Sequence, residues 1–304
     1  MMRVIDDDDK ARTTDDALRT RMPVGDKSPL SPHAALWRSM LSEWLRIFRT
    51  GLISLHMVCG LLAGLVCGAY FAVSVFDPRL AADAFFQLLG EAMPLMAAIV
   101  CGVSADKERE AGGYVNLFGV PSRRSAFAGK IVVLWLLGFG ALALAGVVFA
   151  DVLTARGVNG LSFSAYILAV FGITFGSLPL YMIFVPMAVG LGRNVVVGLG
   201  AVGTLLASLA MGGVLNGLNT GTLSGLAASD GVWAWVPFTW QVRMGALGIE
   251  QSIIRWSPDA TVMLSDLKQS VWSTVAPCGV LTFLLGCLLF STVNLFENRR
   301  TVSS

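Results

Sequence analysis

Between residues 51 and 295 the chain alternates long apolar runs with short polar breaks. Six runs, at 51–76, 84–104, 131–151, 164–190, 195–217 and 272–295, are each near or above the roughly 20 residues that a helix needs to cross about 30 Å of hydrocarbon. They predict an all-α, polytopic integral membrane protein with six transmembrane helices. A different pattern precedes them. Leu36, Trp37, Met40, Leu41, Trp44, Leu45 and Phe48 recur at helical spacing, and Arg38, Ser42, Glu43, Arg46 and Arg49 fill much of the remainder. This predicts an amphipathic helix over 33–49 that lies in the membrane interface, with Trp37, Trp44 and Phe48 on its apolar side; a soluble helix packed on a partner is the alternative. Residues 1–32 show no apolar periodicity and are expected to form a disordered tail. Asp6 to Lys10 reads as Asp-Asp-Asp-Asp-Lys, which matches an enteropeptidase cleavage site or a natural acidic tail. No apolar stretch before residue 50 has the form of a signal peptide.

Composition agrees with the pattern. Of 304 residues only 14% are charged and 55% are hydrophobic, where soluble domains carry about 25% charged residues; the mean hydropathy is +0.70. A net charge of +2, with no basic helix or aromatic-basic stripe, excludes nucleic acid as a partner. The five cysteines fall inside apolar runs without a Cys-x-x-Cys pair, so they are packing residues and no metal site is expected. Basic residues set the orientation. With the N-terminus inside, 17 of them lie on inner segments and five on outer ones. Even without the tail, the short 105–130 loop and Arg299-Arg300 place both termini in the cytoplasm.

Within the spans, Gly60, Gly64 and Gly68 stand at i, i+4 and i+8 and predict a flat face for close helix packing. Gly172 and Gly176 repeat the spacing, and Pro179 and Pro186 predict bends in the fourth span. Residues 218–271 form the longest outer loop. Trp233, Trp235 and Trp240 in it read as interfacial anchors or as a candidate substrate lip. Ionisable residues are almost absent from the span interiors: Glu91, His56 and Asp151 are the exceptions. That scarcity argues against a proton- or ion-coupled carrier, which needs titratable stations. No nucleophile–base set is present, and Gly129-Lys130 is followed by Ile131 rather than a hydroxyl residue, so no phosphate-binding loop exists and no catalytic residue is assigned. Leu223-Ser224-Gly225 matches part of an ATPase signature but lies on the expected outer side.

The polar stretch Asp106–Lys130 breaks the apolar pattern most strongly. An acidic start with Glu108 and Glu110 leads to Gly112-Gly113, a short apolar turn of helix, then Pro121, Arg123 and Lys130. Glycine and proline permit breaks on both sides of a short helix along the membrane surface. This order resembles the loop of ABC type-2 exporter permeases, and the interfacial helix, six spans and outer loop match that family's layout over residues 33–304. Gly112-Gly113-Tyr114-Val115-Asn116-Leu117 is similar to permeases of lantibiotic-immunity transporters. The resemblance implies a separate cytoplasmic ATPase dimer that binds ATP and magnesium, so this chain needs no cofactor. It implies a second permease chain, identical or a sister subunit, and an amphipathic antimicrobial peptide as cargo. It places the protein in a bacterial cell membrane and gives Glu108, Glu110, Gly112, Pro121, Arg123 and Lys130 the role of an ATPase-coupling loop. An exporter of another drug or lipid, a secondary transporter without an ATPase and an intramembrane enzyme are the competing readings.

Overall fold

The computed structural model describes residues 32–301, apart from 121, 212, 228–230 and 256–259. Among the described residues the chain is helical with no strand. The helices are α1 Pro32–Phe48, α2 Leu52–Val73, α3 Pro78–Glu110, α4 Val115–Phe118, α5 Arg123–Ala155, α6 Phe163–Leu191, α7 Arg193–Ala210, α8 Gly213–Thr220, α9 Trp240–Ile254 and α10 Ala260–Thr301, with a 3₁₀ turn at Val232–Trp235. Six segments are long and apolar enough to cross a membrane: Leu52–Val73, Pro78–Glu110, Arg123–Ala155, Phe163–Leu191, Arg193–Thr220 and Leu267–Thr292. They match the six expected runs. The expected tail lies outside the described residues except for Pro32, which opens α1.

Two helices are longer than hydropathy alone indicates. α3 and α5 have 33 residues each, or about 50 Å at 1.5 Å per residue, so they outrun the hydrocarbon. Their polar ends take up most of the 106–130 stretch. Only residues 111–122 link them, and the short expected helix is α4. Gly112 and Gly113 have φ of 135° and 63°, followed by Tyr114 at 68°. That run of left-handed backbone turns the chain sharply out of α3, and glycine carries it without a Cβ clash.

The spans pack through small residues. Gly60, Gly64 and Gly68 are buried and face α5: a Cβ at Gly64 would lie 2.6 Å from the Ala145 carbonyl oxygen, and one at Gly60 would lie 2.5 Å from that of Ala141. The expected small-residue face therefore joins two helices of the same chain. α3 is central, touching α6, α7 and α9, while α5 also packs on α6. α10 lies loosely against α6 and α9 and exposes Phe283, Leu284 and Leu288. With Val58, Leu62 and Val66 of α2 and Leu205 and Leu209 of α7, these form the lipid-facing surface, which helices tolerate because their backbone polar groups are paired internally. α6 continues through Pro179 and Pro186. Pro179 has no N–H for the Phe175 carbonyl, and the Cys278 thiol of α10 approaches that oxygen at 3.9 Å.

Gly64→Leu should separate α2 from α5 and lower the melting temperature of the purified protein. Gly198→Leu, where nothing lies within 4 Å, should leave it unchanged; equal melting of the two variants would show that the glycine face does not hold α2.

Candidate functional site

α1 lies across α5 with an inverted polarity. Ile47 and the charged Glu43 are buried, whereas Trp37, Trp44 and Phe48 are exposed, so the large apolar side chains face outward to where lipid would cover them. The reason for burying Glu43 is an ion-pair network. Lys130 of α5, 1% exposed, places its Nζ 3.4 Å from Glu43 Oε2 and 3.3 Å from Glu108 Oε1. Arg46 pairs with Glu43 at 3.3 Å and also with Glu108, and Asn116 of α4 donates to Glu108 Oε2 at 3.3 Å. Two cations and two carboxylates thus balance at the junction of α1, α3, α4 and α5. Gly129 lets α1 approach, since a Cβ there would lie 3.1 Å from Met40 N.

The remaining residues of the expected coupling loop have different fates. Glu110 is exposed and pairs with Lys107 at 2.8 Å. Asp106 pairs with Arg109 at 3.0 Å and approaches Arg193 of α7 at 3.8 Å. Arg123 donates its Nε–H to the Phe118 carbonyl at 3.0 Å, closing α4. Gly112 sits at the turn, and Pro121 lies outside the described residues. Glu108 and Lys130 are therefore internal, and Glu110 is on the surface.

A cavity of about 580 Å³ opens between α2, α3, α7 and α8. Its walls include Cys67, Tyr70, Leu88, Met211 and Leu218, and its polar groups are those of Glu91, Ser208 and Asn219. Ser208 donates its hydroxyl to Glu91. A carboxylate in an apolar wall of this size suits an amphipathic ligand with a cationic group. Of the other ionisable residues expected in spans, His56 is buried with Nδ1 2.8 Å from the Leu52 carbonyl, and Asp151 is exposed.

The opposite end departs from expectation. The 218–271 stretch is not only a loop: α9 within it is a buried helix packed on α3 and α6. Trp240 is 2% exposed and donates its indole N–H to the Ala234 carbonyl at 2.8 Å, so it belongs to the core. Trp233 and Trp235 reach the surface. Glycines seat α9 closely. A Cβ at Gly90 would lie 2.7 Å from Val242 N, and one at Gly248 would lie 2.6 Å from Ala169 N, while Gly172 meets the Met244 carbonyl. The second small-residue pair, Gly172 and Gly176, thus serves α9.

α9 carries a polar cluster into this core. Gln87 of α3 donates to Asp83 Oδ2 at 2.9 Å and to Ser224 Oγ at 2.7 Å; Ser224 in turn donates to Glu250 Oε1 at 3.0 Å. Arg243, two helical turns before Glu250, donates to Thr274 Oγ1 at 3.1 Å. Asp83, Gln87, Arg243 and Glu250 are all at most 3% exposed. Burial, and then the neighbouring Asp83, push the Glu250 carboxyl up from its ordinary range. These buried charges lie outside the apolar runs read from the sequence: α3 begins at Pro78, six residues before its run, and brings Asp83 into the core, while Arg243 and Glu250 stand on α9. The signal available in the sequence was Arg243 and Glu250 seven residues apart, on one face of any helix formed there. Among the described residues no group of three or more His, Cys, Asp or Glu side chains is placed to hold a metal ion. No known family model matches the chain, and no curated protein matches it significantly.

Proposed function

We propose that this chain is the membrane-spanning permease subunit of an ABC-type exporter. The observation that carries the reading is the Glu43–Arg46–Glu108–Lys130 network. It joins the interfacial helix, the α4 link and the ends of two spans into one body, so force applied there reaches α3 and α5 together. Around it, Lys107, Glu110 and Arg109 form exposed pairs. Such pairs contribute little to stability, so an ATPase subunit can take them over at small cost, with Glu110 as the accessible contact and Glu108 as the internal strut. The charged end is then cytoplasmic, in a bacterial cell membrane, and ATP and magnesium are bound by the partner. The Glu91 cavity receives the cargo, an amphipathic peptide such as a lantibiotic, on its way out. A second permease chain completes the pathway.

Affinity purification from native membranes, followed by mass spectrometry of retained subunits, is expected to return a cytoplasmic ATPase, and charge reversal at Lys107 and Glu110 together is expected to reduce its recovery. A second reading, a secondary transporter, draws on the buried Asp83, Arg243 and Glu250, since such carriers use charged groups shielded inside the protein. Recovery of the chain without an ATPase, with gradient-driven transport by the chain alone in proteoliposomes, decides for that reading.

A further inference from the structure

At the charged end a narrow groove of about 220 Å³ runs between α5, α6 and α10. Its walls are apolar, among them Phe127, Ile131, Met182, Leu289 and Phe290, and Arg124 closes one end. Arg124 stands in the first turn of α5, two residues after the Ser122 cap. Its Nε is buried and has no hydrogen-bond partner, and among the described residues no ion pair involves it. Its neighbours differ: Arg123 is bonded to Phe118, and Lys130 and Arg46 are paired with glutamates. A guanidinium with a buried, unsatisfied N–H is costly and calls for an anion. The N-terminal turn of α5 adds backbone N–H groups and a positive dipole end at the same place. Thr282, the other polar side chain on the groove's wall, spends its hydroxyl on the Cys278 carbonyl at 2.7 Å, so the groove offers a soluble metabolite little to bind.

We propose that this groove binds one anionic glycerophospholipid, its phosphate on Arg124 and an acyl chain between α5, α6 and α10. The occupant follows from the pairing of features: one end of the site demands negative charge, and the rest demands hydrocarbon. The loose seating of α10 leaves the slot open along the lipid-facing surface. Gly286 widens it, since even a Cβ there would come no closer than 3.7 Å to the Met182 methyl. The inference is independent of what the protein transports and of any ATPase.

The test uses the full chain, purified and stripped of lipid in detergent, with phosphatidylglycerol, phosphatidylcholine of the same acyl chains, and inorganic phosphate as separate probes. Native mass spectrometry should show one retained phosphatidylglycerol, preferred over phosphatidylcholine by about tenfold or more, as expected for a charged hydrogen bond. Inorganic phosphate should raise the melting temperature little. Arg124→Gln should abolish the preference, Arg124→Lys should keep most of it, and Arg109→Gln, which removes an exposed, ion-paired charge from the same end, should keep all of it. Gly286→Trp should weaken retention of both lipids. Equal retention of the two lipids by the unaltered chain overturns the proposal, as does an unchanged preference in Arg124→Gln. A response to inorganic phosphate as large as that to the lipid overturns it too, because the groove would then contribute nothing. So does a dimer that Arg124→Gln disperses without any lipid preference, which would assign the arginine to a contact between two copies.

Discussion

Replacing Arg243 by leucine should leave little folded protein in the membrane. The side chain is fully buried on a helix that is itself buried, and it donates to Thr274. Glu250, one of two buried carboxyls linked through Ser224 and Gln87, feels its positive charge. Without the guanidinium Glu250 keeps its burial and loses that compensating charge. Removing one member of a buried charge set costs about 3–5 kcal/mol, because the partner stays buried and unpaired. That is a large share of the stability of an ordinary domain. Leucine also leaves the hydroxyl of Thr274 without its donor. Membrane abundance and melting temperature are the measurements. Arg255→Leu, at an exposed position just beyond α9, should change neither. Adding Glu250→Gln to Arg243→Leu should recover part of the loss, since glutamine keeps the shape of the group and cannot ionise there. Normal abundance and melting of the single Arg243 variant would mean that the cluster is not held by charge.

Glu108→Ala and Glu110→Ala should behave as opposites despite lying two residues apart. Glu108 is 5% exposed and meets Arg46, Lys130 and Asn116. Its loss leaves two cations sharing Glu43, in a place water does not reach freely. The cost is about 3 kcal/mol by the same reasoning, and it falls on the joint between α1 and the bundle. Limited proteolysis should then cut within α1, and the melting temperature should drop. Glu110 only meets Lys107 at the surface, so Glu110→Ala should melt like the unaltered protein. Under the proposed function its defect appears elsewhere, as weaker retention of the ATPase. A Glu108→Leu, Lys130→Met double variant should be more stable than Glu108→Ala, because it removes the stranded charge along with its partner. Equal melting of the Glu108 and Glu110 single variants would refute the division between an internal strut and an external contact.

That division was legible in part. Residues i and i+2 of a helix point about 200° apart, so once α3 is known to run to Glu110, one of the two glutamates must face inward when the other faces out. What hid it was the length of α3: hydropathy falls off at the polar end, and the helix continues past it. Asp83 was hidden in the same way at the other end. The amphipathic helix α1, by contrast, could be read directly as a helix, since Trp37, Trp44 and Phe48 share one side by spacing alone; that this side faces outward while Glu43 is buried could not. α4 was announced by Gly112 and Gly113, whose φ values need glycine.

α9 was the main feature that local pattern could not show. Its 15 residues span about 23 Å, too short to cross a membrane, and Gln241, Arg243 and Glu250 lower its hydropathy into the range of a water-facing loop. It is buried because Gly90 of α3 and Gly172 and Gly176 of α6 leave room for its backbone, and those glycines are distant in sequence. The sequence by itself determined what its near neighbours along the chain control: six apolar spans, an amphipathic helix before them, and a small-residue face on α2. Tertiary structure alone decided which polar groups are taken out of water. That choice depends on partners far apart in the chain, as Glu43, Glu108 and Lys130 are at one end and Asp83, Ser224 and Glu250 are at the other. A buried charge is tolerable only where packing brings its partners within hydrogen-bonding or ion-pairing distance, and spacing along the chain does not encode that meeting.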